Sequence, residues 1–248
     1  MSRQSDNHIF RKVAVLGAGV MGAQIAAHLV NCGVRTILFD LADKDDDKSG
    51  TVKKAIKALH KQKPSPLAIS DLSELIQPAN YEEDLELLRD CDLIIEAIAE
   101  RMEWKKDLYD RIEPYLTDQT ILASNTSGLS VNELSKVLQS RLQGQFIGMH
   151  FFNPPRYMHL LEIIPTDKTE KAVVGILEQF SVQVLGKGVV LAKDTPNFIG
   201  NRIGVFNILV VMHYAEKLNI PFEVVDKITA KPLGGQSQAH LELLMSLV

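Results

Sequence analysis

Short apolar runs alternate with longer amphipathic stretches along most of this chain, and that rhythm predicts its architecture before any single residue is considered. The run at 13–16 is apolar throughout and ends at Gly17, as in a strand buried on both faces. From 20 to 32 the apolar positions recur at helical spacing. A second buried strand is expected over 36–39, ending at Asp40, with further runs at 93–98, 120–123, 146–151 and 189–191. Amphipathic stretches such as 104–115 and 131–138 lie between most of them. Parallel neighbours need a crossover, and a helix laid on the sheet makes one, so strands alternating with helices imply an α/β, Rossmann-like, doubly wound and mostly parallel sheet.

Two regions break the rhythm. Residues 49–63 insert a lysine-rich amphipathic segment (Lys53, Lys54, Lys57, Lys61, Lys63), followed by Pro64 and Pro66, which reads as a helical excursion from the sheet. From Asp194 onward the strand signal ends; Thr195-Pro196 opens a long apolar helix over 198–218, and Pro221 starts another. The expected organisation is a sheet domain over 9–193, the start of a helical domain over 194–233, and a separate tail over 234–248.

Composition narrows the function classes. With 248 residues, 46% of them hydrophobic, the chain can bury a substantial core. A net charge of -4 provides no whole-chain basic field, so neither nucleic acid nor an anionic membrane surface is an expected partner. No apolar run approaches the roughly 18 residues of a membrane span, and residues 1–12 are short, polar and interrupted by Asp6. A cytoplasmic protein is expected. Cys32 and Cys91 have neither metal-ligand spacing nor a disulfide pattern, which predicts reduced, buried thiols and no metal site.

The candidate chemistry begins at Gly17-Ala18-Gly19-Val20-Met21-Gly22, which follows a strand and opens a helix. That context gives the glycine pattern its meaning: Gly17 allows a tight turn, Gly19 lets backbone approach a pyrophosphate, and Gly22 allows close helix packing. The helix start, including Val20 and Met21, presents N–H groups to the anion. Asp40, eighteen residues after Gly22, is placed to accept hydrogen bonds from ribose hydroxyls and would repel a 2′-phosphate, favouring NAD over NADP. A structural turn, or a site for FAD, is the alternative. Farther on, Ser124-Asn125-Thr126-Ser127-Gly128 and Gly148-Met149-His150-Phe151-Phe152-Asn153-Pro154-Pro155 put polar residues at strand ends, where an open sheet binds its ligand. Glu162, twelve residues after His150, lies within an apolar run, where a carboxylate is costly to bury unless paired. His150 is its expected partner.

These motifs, with Asn201-Arg202, resemble the 3-hydroxyacyl-CoA dehydrogenase family over about residues 9–233. The resemblance implies oxidation of an (S)-3-hydroxyacyl-CoA to the 3-ketoacyl-CoA with NAD, in fatty-acid β-oxidation. It implies His150 as the base, Glu162 as the group orienting it, and Ser127 as a hydrogen-bond partner of the substrate oxygen. Asn153 and Asn201 would line the same cleft, Asn153 with the cofactor. Glu100 and Lys105 match positions that contact the cofactor. The lysine-rich excursion matches a helical hairpin that receives CoA, so that Lys53, Lys57 and Lys61 would meet its phosphates. Competing expectations are Ser127 as a cap of the next helix, Glu100 and Lys105 as a solvent-facing helix start, and the lysines as a solvated face. Segments such as Asp90-Cys91-Asp92-Leu93 resemble the long bacterial form, in which a hydratase domain follows.

The family continues with roughly a hundred residues of helical domain, a typical small-domain size, which forms its homodimer. Residues after Leu233 do not resemble it. Back-translated with suitable synonymous codons and read in a shifted frame, 235–248 yields Pro-Lys-Ser-Gly-Thr-Phe-Arg-Thr-Ala-Asp-Val-Val-Gly, text resembling the family. The expectation is an out-of-frame tail after one lost base, a dimerisation domain largely missing, apolar surface left on the 198–218 helix, and very low dehydrogenase activity. The nucleotide sequence after codon 234 decides this. A non-catalytic NAD-binding remnant and a dehydrogenase of a free 3-hydroxy acid or sugar are the alternative functions.

Overall fold

The computed structural model describes residues 10–44 and 47–229, and in it the apolar runs become the strands of one eight-stranded sheet. In chain order these are β1 (Lys12–Leu16), β2 (Arg35–Asp40), β3 (Ile76–Asn80), β4 (Leu93–Glu96), β5 (Ile121–Ser124), β6 (Phe146–Phe151), β7 (Leu160–Pro165) and β8 (Gly188–Leu191). They lie in the order β3-β2-β1-β4-β5-β6-β7-β8, and every neighbouring pair is parallel except β6 with β7. The chain builds outward from β1 to β3 and then returns to the other side of β1 at β4. At such a reversal the loops leaving adjacent strands diverge and open a crevice at the carboxyl ends.

Flanking helices are α1 (Val20–Asn31), α2 (Gly50–Leu59), α3 (Met102–Ile112), α4 (Val131–Lys136), α5 (Ser140–Gln143) and α6 (Lys171–Gln183). Val13, Ala14, Val15 and Leu16 have no exposed surface, nor do Ile25, Ala26, Ala27 and Leu29 of α1, which pack into the same core. Each fully buried aliphatic side chain of Val or Leu size contributes about 1.5–3 kcal/mol. Strand runs without a polar face are what a sheet covered by helices on both sides requires.

Several elements differ from the expectation. β3, Ile-Gln-Pro-Ala-Asn, carries no alternating or continuous apolar signal, and its Pro78 is tolerated because β3 is an edge strand. The apolar run around Glu162 is itself a strand, β7, antiparallel to β6. The lysine-rich excursion is a single helix, α2, followed by an irregular stretch and a short 3-10 turn at Ser70–Leu75, and not a helical hairpin. Pro64 and Pro66, neither of which can donate to a helical ladder, stand where a second helix would have begun. Cys91 is buried but Cys32, just past the end of α1, is half-exposed, and both are free.

The chain divides into two units at Pro196/Asn197, three residues beyond the boundary expected at 193. The displacement has a local cause: Asp194 is still fastened to the first unit, accepting from Ser130 Oγ (2.7 Å), Val131 N (3.1 Å) and Asn132 N (2.8 Å) at the start of α4. The second unit contains α7 (Gly200–Lys217) and α8 (Phe222–Thr229). On α7, Ile203, Phe206 and Leu209 are more than half exposed whereas Ile208 and Ala215 are buried. The tail expected at 234–248 lies outside the described residues. Among the described helices none is long and apolar enough to cross a membrane.

Candidate active site

The first half of the site is built around the glycine loop. Gly17 has φ +104°, and a Cβ there would stand 2.8 Å from the Ala97 carbonyl oxygen; a Cβ on Gly22 would stand 1.8 Å from the Gly17 carbonyl oxygen. Only glycine fits either place. Gly17 N donates to Phe39 O (2.8 Å) and Ala97 N to Leu16 O (2.8 Å), so the ends of β1, β2 and β4 are held together beneath the loop. Gly19, the residue before α1, offers no side chain to the helix N-terminus, leaving the first-turn N–H groups to meet an anion. Asp40 ends β2 with Oδ2 accepting from Ala18 N (2.5 Å) and Oδ1 from Leu41 N (2.7 Å). Its carboxylate is thereby fixed at the mouth of a cavity of about 460 Å³ that Gly17, Gly19, Tyr81, Ala97 and the lone tryptophan, Trp104, also line. Loop, helix end, acid and cavity together suit a dinucleotide. Val20 is exposed at the helix start and Met21 beside it is half-buried.

The second half lies two to three strands away, at the ends of β5 and β6. His150 and Glu162 face each other in the register of the antiparallel pair, and Nδ1 of the imidazole is 2.7 Å from Oε2 of the carboxylate. Both are buried, and the imidazole packs against the Phe152 ring at 4.6 Å between centroids. A carboxylate on Nδ1 fixes the proton there and leaves Nε2 as the basic nitrogen. The polar residues after β5 divide their work. Ser124 Oγ donates to Glu96 (2.7 Å), Asn125 Oδ1 accepts from Phe151 N (2.9 Å), and Thr126 Oγ1 donates to Glu100 (2.5 Å). Ser127 is exposed, with only its backbone N–H engaged among the contacts of the described residues. It does not cap the following helix; Ser130 does, accepting from Glu133 N.

Glu100 and Lys105, expected beside the cofactor, differ in their surroundings. Lys105 is fully buried, its ammonium 2.5 Å from Oε1 of Glu96 and 3.7 Å from Oε2 of Glu100, so its charge points into the protein and not into the crevice. Glu96, at the end of β4, also accepts from Tyr109 OH (3.0 Å) and Ile98 N (2.8 Å). Burial among these carboxylates pushes the Tyr109 phenol well above its ordinary range. One oxygen of Glu100 accepts from Thr126 Oγ1 and from the backbone of Ser127 (2.8 Å), Gly128 (2.7 Å) and Leu129 (3.2 Å). Partial burial would raise this carboxyl, but the Thr126 hydroxyl, the backbone donors and Lys105 outweigh it and hold it below the usual glutamate value. Lys105 is not solvent-facing, whereas Glu100, two residues before α3, keeps about 41% of its side chain exposed.

A strap that sequence reasoning missed runs along the loop after β6. Lys187, buried at the start of β8, donates to Pro155 O and to Met158 O (2.9 Å). From the same loop Arg156 donates to Ser65 O (2.8 Å) and Leu67 O (2.5 Å), and Tyr157 OH to Ser65 O (2.9 Å). These side chains satisfy the backbone between α2 and β3 and fasten it to the loop that carries Asn153, itself exposed. No spacing in the sequence signals such side-chain-to-carbonyl contacts. Of the lysines, Lys53 is paired with Asp47 at 2.7 Å, while Lys57 and Lys61 are exposed on and just after α2. Asn201 lies at the start of α7 in the second unit, and the other candidates belong to the first. Among the described residues no cluster of three side chains could hold a metal ion.

Comparison with known proteins bears on this geometry. Residues 12–195 match the family model described as 3-hydroxyacyl-CoA dehydrogenase, NAD binding domain. The chain is 42% identical over 230 residues to a probable 3-hydroxyacyl-CoA dehydrogenase of Deinococcus radiodurans, covering 92% of this chain and 66% of that one. It is 41% identical over 249 residues to a protein of the same description from Bacillus subtilis, covering 94% of this chain and 32% of that one. It therefore spans less than two thirds of either relative. The solved structure of an (S)-3-hydroxybutyryl-CoA dehydrogenase from Ralstonia eutropha superimposes with a TM-score of 0.78 at 26% identity, over 96% of this chain and 82% of that one.

Proposed function

This chain belongs to the 3-hydroxyacyl-CoA dehydrogenase family and carries its NAD-binding domain, and on that footing we propose that it oxidises the 3-hydroxyl of an (S)-3-hydroxyacyl-CoA to a ketone. The observation that carries the reading is the buried contact of 2.7 Å between His150 and Glu162 at the carboxyl edge of the sheet that holds the glycine loop. Because β1, β4, β5 and β6 are parallel, their carboxyl ends share one edge. Four strand spacings, roughly 19 Å, separate β2, which ends at Asp40, from β6, which suits a dinucleotide extended from Asp40 towards His150. NAD, when bound, supplies the hydride acceptor.

Nε2 of His150 takes the hydroxyl proton as the C3 hydride departs, and the Glu162 carboxylate stabilises the imidazolium that forms. Ser127, exposed beside the dyad's strand, donates to the substrate oxygen. Asn153 lines the same cleft, and Asn201, on α7 of the second unit, is the remaining polar candidate. Lys57 and Lys61, exposed on the excursion, meet the CoA phosphates. The strap from Arg156 and Tyr157 to 65–67 keeps that excursion aligned with the catalytic loop. The two free thiols support a reducing, cytoplasmic setting. The exposed apolar residues of α7 support the family's homodimer as the assembly.

The test is reduction of acetoacetyl-CoA by NADH, followed at 340 nm (a property of NADH), in the full chain and in His150→Gln. Loss of the base should lower turnover by about 10²–10⁴-fold while NADH affinity, read by calorimetry, stays within about twofold. NADH binding heat without any turnover in the parent chain would instead favour a binding-only protein. Turnover retained in His150→Gln would remove the dyad from the mechanism.

A further inference from the structure

We infer that Glu100 is a positioning residue, which holds the Ser127 turn in its working shape from beneath through a relay of buried charge from Glu96 and Lys105, and that this, more than contact with the cofactor, is its function. The inference rests on the catalytic reading above for its consequence, though not for its geometry.

The turn needs such a support. After β5 ends at Ser124, the chain passes through 125–129 before α4 begins at Val131. Backbone N–H groups here have no strand or helix to bond, and with Ser127 and Gly128 exposed, only a fixed acceptor, and not water, can hold them in one conformation. Three successive ones, from Ser127, Gly128 and Leu129, converge on a single oxygen of Glu100, the last shared with Thr126 Oγ1 at 3.1 Å, and the Thr126 hydroxyl is a fourth donor. Successive N–H groups aimed at one point make a cradle for an anion, and here the anion is the protein's own. The arrangement also leaves no freedom to Ser127: its N–H is tied down, and its side chain is the group left facing out.

The other oxygen of Glu100 explains why the carboxylate stays in place. It lies 3.7 Å from the Lys105 ammonium, which is held in turn at 2.5 Å by Glu96. Glu96 cannot move, because it is fixed by Tyr109, Ser124 and Ile98 at the end of a central strand. Rigidity therefore passes from β4 and β5 through Lys105 to Glu100 and on to the turn. Lys105, with about 1% of its side chain exposed, is the inner link of the relay.

Two variants of the full chain, Glu100→Gln and Glu100→Ala, separate this from a cofactor contact. Gln keeps an oxygen acceptor for the turn; Ala keeps nothing. In Glu100→Ala, amide hydrogen exchange at Ser127, Gly128 and Leu129 should accelerate by about tenfold or more, as lost charge-assisted bonds would require. Glu100→Gln should restore most of that protection. Acetoacetyl-CoA turnover should follow the same order, with kcat falling by about tenfold or more in Ala and recovering in Gln, and with the Kd for NADH within about twofold throughout. An NADH affinity at least tenfold weaker in both variants, with kcat at saturating NADH intact, would overturn the inference in favour of a cofactor contact. Unchanged exchange at the three amides in Glu100→Ala would overturn it outright. If the parent chain shows no turnover, the exchange result still decides the positioning while the catalytic reading fails separately. Thermal unfolding of both variants within a few degrees of the parent excludes a global loss of fold as the cause.

Discussion

Glu96 and Glu162 are both without exposed surface, both on strands of one sheet, and yet their surroundings assign them opposite work. Glu96 meets a lysine ammonium at 2.5 Å, two hydroxyls and a backbone N–H, all of them donors. Glu162 meets an imidazole nitrogen at 2.7 Å. A buried carboxylate with a permanent counter-charge is a structural fixture. One facing an imidazole is, on the function proposed above, placed to stabilise the imidazolium that forms when the substrate proton arrives.

The sharpest way to break this comparison is to remove the permanent charge. Lys105→Met fills a similar volume but leaves Glu96 buried without its ammonium, and the expected loss is about 3–5 kcal/mol of stability, read from urea unfolding. Adding Glu96→Gln to it should return part of that loss, because the stranded charge goes as well. A single variant within about 1 kcal/mol of the parent would mean that Glu96 is not held as a charged group.

The second carboxylate should respond in rate and little in stability. Glu162→Gln retains a partner for the ring but removes the charge that balances the imidazolium, and kcat should fall by about 10²-fold, close to 2.7 kcal/mol. Affinity for NADH should hold. If urea unfolding of this variant instead reproduced the loss expected for Lys105→Met, the two glutamates would be alike after all.

The same contrast explains what the sequence disclosed. Glu162 was legible because a charge inside an apolar run demands a partner and His150 was the one in reach. The same rule applied to 93–98 would have singled out Glu96, which ends an equally apolar run. Its partner Lys105 was legible as a motif position but not as a buried one, since a separation of nine residues hides the fact that α3 turns it back onto β4. Strands buried on both faces, 13–16 and 146–151 above all, were plain from composition alone, and with them the doubly wound fold. β3 was hidden because an edge strand with a proline and a glutamine needs no apolar run; its pairing with β2 forms it. Lys187 and Arg156 were hidden because their partners are carbonyl oxygens, and every residue has one of those.

A third buried group sets the lower bound of the comparison. His28 is buried like His150 but, among the described residues, has no carboxylate on its ring: Nε2 meets Leu185 O at 3.1 Å, and Nδ1 is buried with no hydrogen-bond partner among them. Burial above all, then the Lys187 charge, lowers its pKa to about 4, against which the Leu185 carbonyl works only weakly. The ordinary value is near 6.5, so between the two the unfolded chain binds the proton and the folded one does not. Stability from this residue is therefore full above pH 6.5 and falls as the solution is acidified towards 4, in a window lying mostly above the titration of ordinary carboxylates. By about pH 5 the loss should be on the order of 2 kcal/mol. His28→Gln keeps a donor for Leu185 O and has no proton to gain, so the parent's unfolding free energy should drop relative to the variant's between pH 7 and pH 5 by about that amount. Parallel pH profiles for the two proteins would show that His28 is no more costly to charge in the folded state than in the unfolded chain. Burial alone would then not separate a structural imidazole from a catalytic one, and the carboxylate beside His150 would carry the whole distinction.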